Sequence, residues 1–142
     1  MPRHTEVLRI DRLRLTDPRT ALALIEELLL TDPSAPAGGA YDVLGQICLV
    51  QGDLKSAKDS FLRNIEIYPR EPSTWLYLAL IAELQGDLTE AEACYRKAPG
   101  REFDPEYIRA AKTAYTAWQA THPGSESRLK ALDAAQQTKR TP

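Results

Sequence analysis

Residues 41–98 contain one pattern written twice. Gln51-Gly52-Asp53-Leu54-Lys55-Ser56-Ala57 recurs as Gln85-Gly86-Asp87-Leu88-Thr89-Glu90-Ala91. The offset is 34 residues (86 − 52), and it carries outward: Tyr41 pairs with Trp75, Leu44 with Leu78, and Phe61 with Tyr95. A fixed period in this range restricts the fold more than composition could. One such unit cannot bury its apolar side alone, so units must stack against their neighbours as a solenoid.

Within each unit the spacing is that of two helices joined by a tight turn. Gly52 and Gly86 supply the turn, and Asp53 and Asp87 stand where the second helix needs an N-cap. Glu90, three residues after Asp87, completes a capping-box pattern. Gly45 and Ala79 keep the first helix thin where the second crosses it, and Ala57 and Ala91 do the same from the other side. A bulky residue at any of the four is expected to push the pair apart, at an overpacking cost of about 1–3 kcal/mol.

Upstream, Val7, Leu8, Ile10, Leu13 and Leu15 predict a helix over residues 5–16. Asp17-Pro18 then opens a second helix over 20–30, with Asp as N-cap and Pro in the first turn, where its missing N–H costs nothing. Ala21 precedes Pro33 by twelve residues, as Ala57 precedes Pro69 (33 − 21, 69 − 57). This is a first repeat, degenerate in its opening helix, with two extra residues in the 33–39 connection. Downstream, Asp104-Pro105 opens a helix expected to reach about residue 121. Its Tyr107, Ala110, Ala111 and Ala114 match Trp75, Leu78, Ala79 and Ala82 at an offset of 32 (107 − 75), so it reads as the opening helix of a fourth unit. His122-Pro123-Gly124-Ser125 breaks it. Ser125 is expected to cap a last helix carrying Leu129 and Leu132, and residues 138–142 to fray. The chain is thus one domain over 1–142: repeat 1 at 3–33, repeat 2 at 38–69, repeat 3 at 72–98, and capping helices at 104–121 and 125–137.

These positions resemble the tetratricopeptide repeat family. Its pattern is an early aromatic, Leu-Gly, a small or aromatic residue, a Gly-Asp turn, then Ala, an aromatic and a closing Pro. Here those places hold Tyr41, Leu44-Gly45, Cys48, Gly52-Asp53, Ala57, Phe61 and Pro69. The next unit has Trp75, Leu78-Ala79, Ala82, Gly86-Asp87, Ala91 and Tyr95, without a Pro at the matching distance. The resemblance implies an all-α, right-handed solenoid of antiparallel helix pairs: about three repeats plus C-terminal capping helices. It also implies a non-enzymatic module that binds another protein in its concave groove.

Composition narrows the partners. The chain has a formal charge of −2 with no basic patch, which argues against nucleic acid. Glu26-Glu27 interrupts the longest apolar run, so no membrane insertion is expected. Met1-Pro2-Arg3-His4 lacks a signal-peptide segment, and the expectation is a cytoplasmic protein. There is no nucleotide-binding glycine loop, metal-ligand cluster or nucleophile elbow, so no cofactor, metal or catalytic residue is expected. His4 and His122 read as solvated. Cys48 and Cys94, on different helices, read as buried thiols acting as small hydrophobes.

In the family the groove is lined by the first helix of each pair. By helical period that face carries Ile10 and Leu13 (with Glu6) in the first repeat, and Asp42, Gln46 and Leu49 in the second. It carries Leu76, Leu80 and Glu83 in the third and Ile108, Lys112 and Tyr115 in the last. Leu76 and Leu80 lie one turn apart outside the pair-packing set, which suggests an apolar groove for a partner helix or hydrophobic peptide. That is the work of a small chaperone or assembly factor, for instance of a secretion system. On this reading glutamate at both positions leaves helicity intact and abolishes partner capture. In the competing reading the chain's own terminal helix, or a second copy in a homo-oligomeric scaffold, covers these leucines. Family members that grip the acidic tails of heat-shock chaperones use cations at these places. Glu6, Asp42 and Glu83 would instead repel a carboxylate terminus.

Overall fold

The computed structural model describes residues 3–140. Eight α-helices follow in order: α1 (Arg3–Leu13), α2 (Pro18–Thr31), α3 (Ala40–Gln51), α4 (Leu54–Ile67), α5 (Pro72–Leu84), α6 (Leu88–Tyr95), α7 (Pro105–Thr121) and α8 (Arg128–Arg140). A 3₁₀ turn, Pro36–Gly38, fills the longer connection between α2 and α3. Among the described residues there is no strand. The fold is an all-α solenoid in which α1/α2, α3/α4 and α5/α6 are successive packed pairs.

The duplicated segments adopt the same conformation. Gly52 and Gly86 both sit in the left-handed region, at φ 89° and 83°. The N–H of Asp53 donates to the Cys48 carbonyl and that of Asp87 to the Ala82 carbonyl, which closes each first helix. Asp53 then accepts from the Ser56 N–H at 3.2 Å and Asp87 from the Glu90 N–H at 3.1 Å. The capping box expected at Glu90 does not form. The Asp87 N–H is already taken by Ala82, and the Glu90 carboxylate accepts from Cys94 Sγ instead.

Pair packing follows the small residues. A Cβ at Gly45 would lie 2.7 Å from Cε1 of the fully buried Phe61. Phe61 in turn stacks on Tyr77 of α5, with ring centroids 5.0 Å apart. Gly45→Leu is expected to lower the melting temperature by roughly 5–10 °C, the equivalent of a 1–3 kcal/mol overpacking cost in a domain this size. A circular-dichroism melt reads this directly, and an unchanged midpoint would contradict the packing. Cys48 and Cys94 are buried free thiols, and burial pushes both above the ordinary thiol range.

The C-terminal third departs from the expected stack. α7 starts where Asp104-Pro105 predicts, with the Asp104 carboxylate accepting from the Glu106 N–H at 2.9 Å. It does not open a fourth unit on α6 but folds back and takes α3 as its chief packing partner. Two features of sequence account for this. Trp118 stands where the other units have glycine, so no turn follows to bring in a paired helix. Ala111 and Ala114 also give α7 a narrow side: the Gly52 Cα faces the Ala114 backbone so closely that a Cβ there would lie 2.1 Å from the Ala114 carbonyl oxygen. An aromatic file anchors the entry to α7. Tyr77, Phe103 and Tyr107 follow one another at centroid spacings of 5.1 and 5.0 Å.

α8 lies on the opposite side, against α2 and α4. It begins at Arg128, with Ser127 rather than Ser125 at the cap, where Ser127 Oγ accepts from the Leu129 N–H at 3.3 Å. Leu129 and Leu132 are buried. The Arg128 guanidinium forks onto both oxygens of Glu26 at 2.8 and 2.7 Å, and its backbone N–H reaches Ser56 Oγ at 2.9 Å. Helix continues to Arg140 rather than fraying from residue 138; Thr141 and Pro142 lie outside the described residues.

Arg63 of α4 also makes two hydrogen bonds to Asp133 of α8, which hold the Asp133 carboxyl below the usual carboxylate range. A depressed folded-state value contributes stability above the unfolded pKa of about 3.9, lost as pH falls through the lower value. Both groups are partly exposed, so screening limits the contribution to under about 1 kcal/mol. Arg63→Met is expected to melt earlier than the parent at pH 7, with the gap shrinking in acid. A pH-independent gap would assign the loss to packing instead.

Candidate functional site

The inner surface divides into a covered middle and an open end. Of the residues predicted to face a partner, Ile10, Leu49, Leu76 and Leu80 are buried within the chain itself. Leu13, Asp42, Gln46, Ile108 and Tyr115 are half-buried, while Glu83 and Lys112 are exposed. The open apolar groove is therefore corrected. Leu80 is 0% exposed and Leu76 8%, in a single copy of the chain. Helical period places these side chains on the inner side of α5, but it says nothing of what lies opposite. α7 closes on α3: Tyr107 and Ala111 share with Leu49 and Val50 a small apolar recess between the two helices. Tyr115 keeps its hydroxyl outward, where it accepts from Gln119 Nε2 at 2.8 Å.

The open end is a notch of about 360 Å³ where α1, the 3₁₀ turn and α3 meet the start of α5. Val7, Leu8 and Val43 give it apolar walls; Asp42, Asn64 and Glu71 give it polar ones. Two hydrogen-bond chains converge on Asp42. Asn64 Nδ2 donates to Thr74 Oγ1 at 3.0 Å, and Thr74 donates to Asp42 Oδ1 at 3.2 Å. The Tyr77 hydroxyl donates to Gln46 Oε1 at 3.0 Å, and Gln46 Nε2 donates to Asp42 Oδ2 at 2.8 Å. No ion pair among the described residues involves Asp42. Burial raises its pKa; the bonds from Gln46 and Thr74 pull it down, and the charges of Asp11 and Glu71 push it further up.

One consequence concerns Asn64. An ionised Asp42 is acceptor only, so the single Thr74 proton goes to it, and Asn64 must present its NH₂ to Thr74. That leaves Asn64 Oδ1, in a residue only 2% exposed, without a hydrogen-bond partner. A buried carbonyl oxygen in that state costs about 1–3 kcal/mol.

The sequence reading found Asp42 and Gln46 and missed Asn64 and Thr74. A signal for both was present. At the 34-residue offset Asn64 corresponds to Ala98, and Thr74 to Ala40 (64 + 34, 74 − 34). Each polar residue stands where the neighbouring unit at this offset has alanine. Among the described residues no cluster of His, Cys, Asp or Glu could hold a metal ion, and no helix is long and apolar enough to cross a membrane. His122 is exposed, its ring stacked on Trp118 at 3.6 Å.

Packed helix pairs joined by glycine turns with aspartate caps define a helical-repeat protein. Residues 49–108, from within α3 to the first turn of α7, match the model of the tetratricopeptide repeat, which supports assignment to that family. Tetratricopeptide repeats mediate protein–protein interaction. No curated protein and no solved structure matches the chain.

Proposed function

We propose that this chain is a non-catalytic protein-binding module that engages its partner at the notch between α1, α3 and the start of α5. The observation that carries the reading is the unequal coverage of the inner surface. Ile10, Leu49, Leu76 and Leu80 are already buried within the chain, whereas the notch presents the half-buried Asp42 carboxylate, with no ion pair among the described residues, and the exposed Leu8, beside a buried amide oxygen of Asn64 that has no hydrogen-bond partner. A surface that retains unsatisfied polar groups beside apolar walls has the mixed character of a small recognition pocket. Chaperoning of long hydrophobic segments would need the middle of the groove, and burial of Leu49 and Leu80 leaves little there to offer. Self-association through the same leucines loses support for the same reason.

A photo-crosslinking residue in place of Leu8 tests the reading, with Leu88 on the far side of the stack as control. In extract of the native host the Leu8 position is expected to give a discrete protein adduct and the Leu88 position none. The reverse pattern would move the binding surface to the α6 end.

A further inference from the structure

We infer that the notch takes the guanidinium of an arginine side chain supplied by the partner. The inference rests on the notch being the binding surface and names the chemistry it recognises. Asp42 accepts one hydrogen bond on each oxygen and keeps lone pairs on both, while Asn64 Oδ1 keeps all of its own. The two residues are bridged by one hydroxyl, that of Thr74, and both line the notch.

The free groups are acceptors, and the uncompensated charge is negative. Asp11 is held by Arg14 at 2.8 Å, and no ion pair among the described residues involves Asp42 or Glu71. The Glu71 carboxylate accepts from Ser73 Oγ at 2.9 Å. An anion would meet repulsion here, and a neutral donor would leave the charge unanswered. An ammonium brings a compact point charge, whereas a guanidinium brings five donors in a planar fork suited to several spaced acceptors. The walls formed by Val7, Leu8 and Val43 suit the apolar stem behind that fork. The raised pKa of Asp42 agrees with a carboxylate poorly served in the free protein, and an arriving cation relieves that condition.

The test is titration of isotopically labelled full-length protein with acetyl-Ala-Arg-Ala-amide, followed by nitrogen–proton NMR. Twin peptides carry citrulline, lysine or norleucine in place of arginine. Saturable shifts are expected at the Asn64 side-chain amide and at the backbone of Asp42 and Gln46, with a dissociation constant on the order of 1 mM. Citrulline, which keeps the shape and loses the charge, is expected to bind at least about tenfold more weakly. Asp42→Asn is expected to lose binding by a similar factor while melting no earlier than the parent. Should that variant fail to fold, Glu71→Gln changes an exposed carboxylate and is expected to weaken arginine binding severalfold.

Equal binding of lysine or citrulline would overturn the guanidinium assignment, as would shifts confined to residues outside the notch. A Leu8 crosslink without any arginine response sinks this inference alone. Absence of both sinks the site as well.

Discussion

Leu80→Glu is expected to abolish cooperative folding. Leu80 is 0% exposed on the inner side of α5, within the main apolar core. The substitution loses the burial of a leucine, about 1.5–3 kcal/mol, and places a carboxylate where no cation stands ready. Even if the new side chain stays protonated, the polar group goes unsatisfied at a further cost of about 1–3 kcal/mol. The sum approaches the whole stability of a domain, typically about 5–15 kcal/mol. Far-UV circular dichroism should show lost helicity or a broad, early melt. Leu88→Glu is the control, since Leu88 is 68% exposed and substitutions at such places stay within about 0.5 kcal/mol. A Leu80→Glu protein that melted like its parent would mean that the α5 leucines face open solvent and that the groove is free after all.

The comparison of Gly52→Ala with Gly86→Ala should give the second large effect, because it separates backbone strain from helix docking. Both glycines have a left-handed φ, so alanine costs each about 1–2 kcal/mol in strain. Gly86 has nothing within 4 Å of a new Cβ. At Gly52 the same atom would sit 2.1 Å from the Ala114 carbonyl oxygen and 2.5 Å from its carbon. Backbone cannot rotate aside as a side-chain tip can, so α7 has to lift from α3. The expected results are a larger loss of melting temperature for Gly52→Ala and fast amide exchange through α7 while α4 and α5 remain protected. Equal losses from the two variants would contradict the docking of α7.

What could be read in advance follows the range of the forces involved. The turns at Gly52 and Gly86, the caps at Asp17, Asp53, Asp87 and Asp104, and the closeness of Gly45 to Phe61 are set within a few residues or within one helix pair, and the sequence pattern carries them. The direction of α7 is set by what it meets. Tyr107, Ala110, Ala111 and Ala114 satisfy the spacing of an opening helix equally well whether they pack on α6 or on α3. The irregular 99–104 connection and the missing glycine at Trp118 bear on that choice, yet a period-based reading weighs only the matches. The polar members of the notch escaped for a different reason. A search by repeat rewards positions that agree, and Asn64 and Thr74 are places where the units disagree with one another.

The bond between Arg128 and Glu26 joins residues 102 apart in sequence, in a fold whose other contacts are mostly between neighbouring units. An open stack can form from one end and add units as they emerge from the ribosome. Here the last helix clasps the second, so the molecule is locked only after residue 128 is free to travel back across the chain. The stack is thereby tied back on itself, and that closure waits for α8 to form.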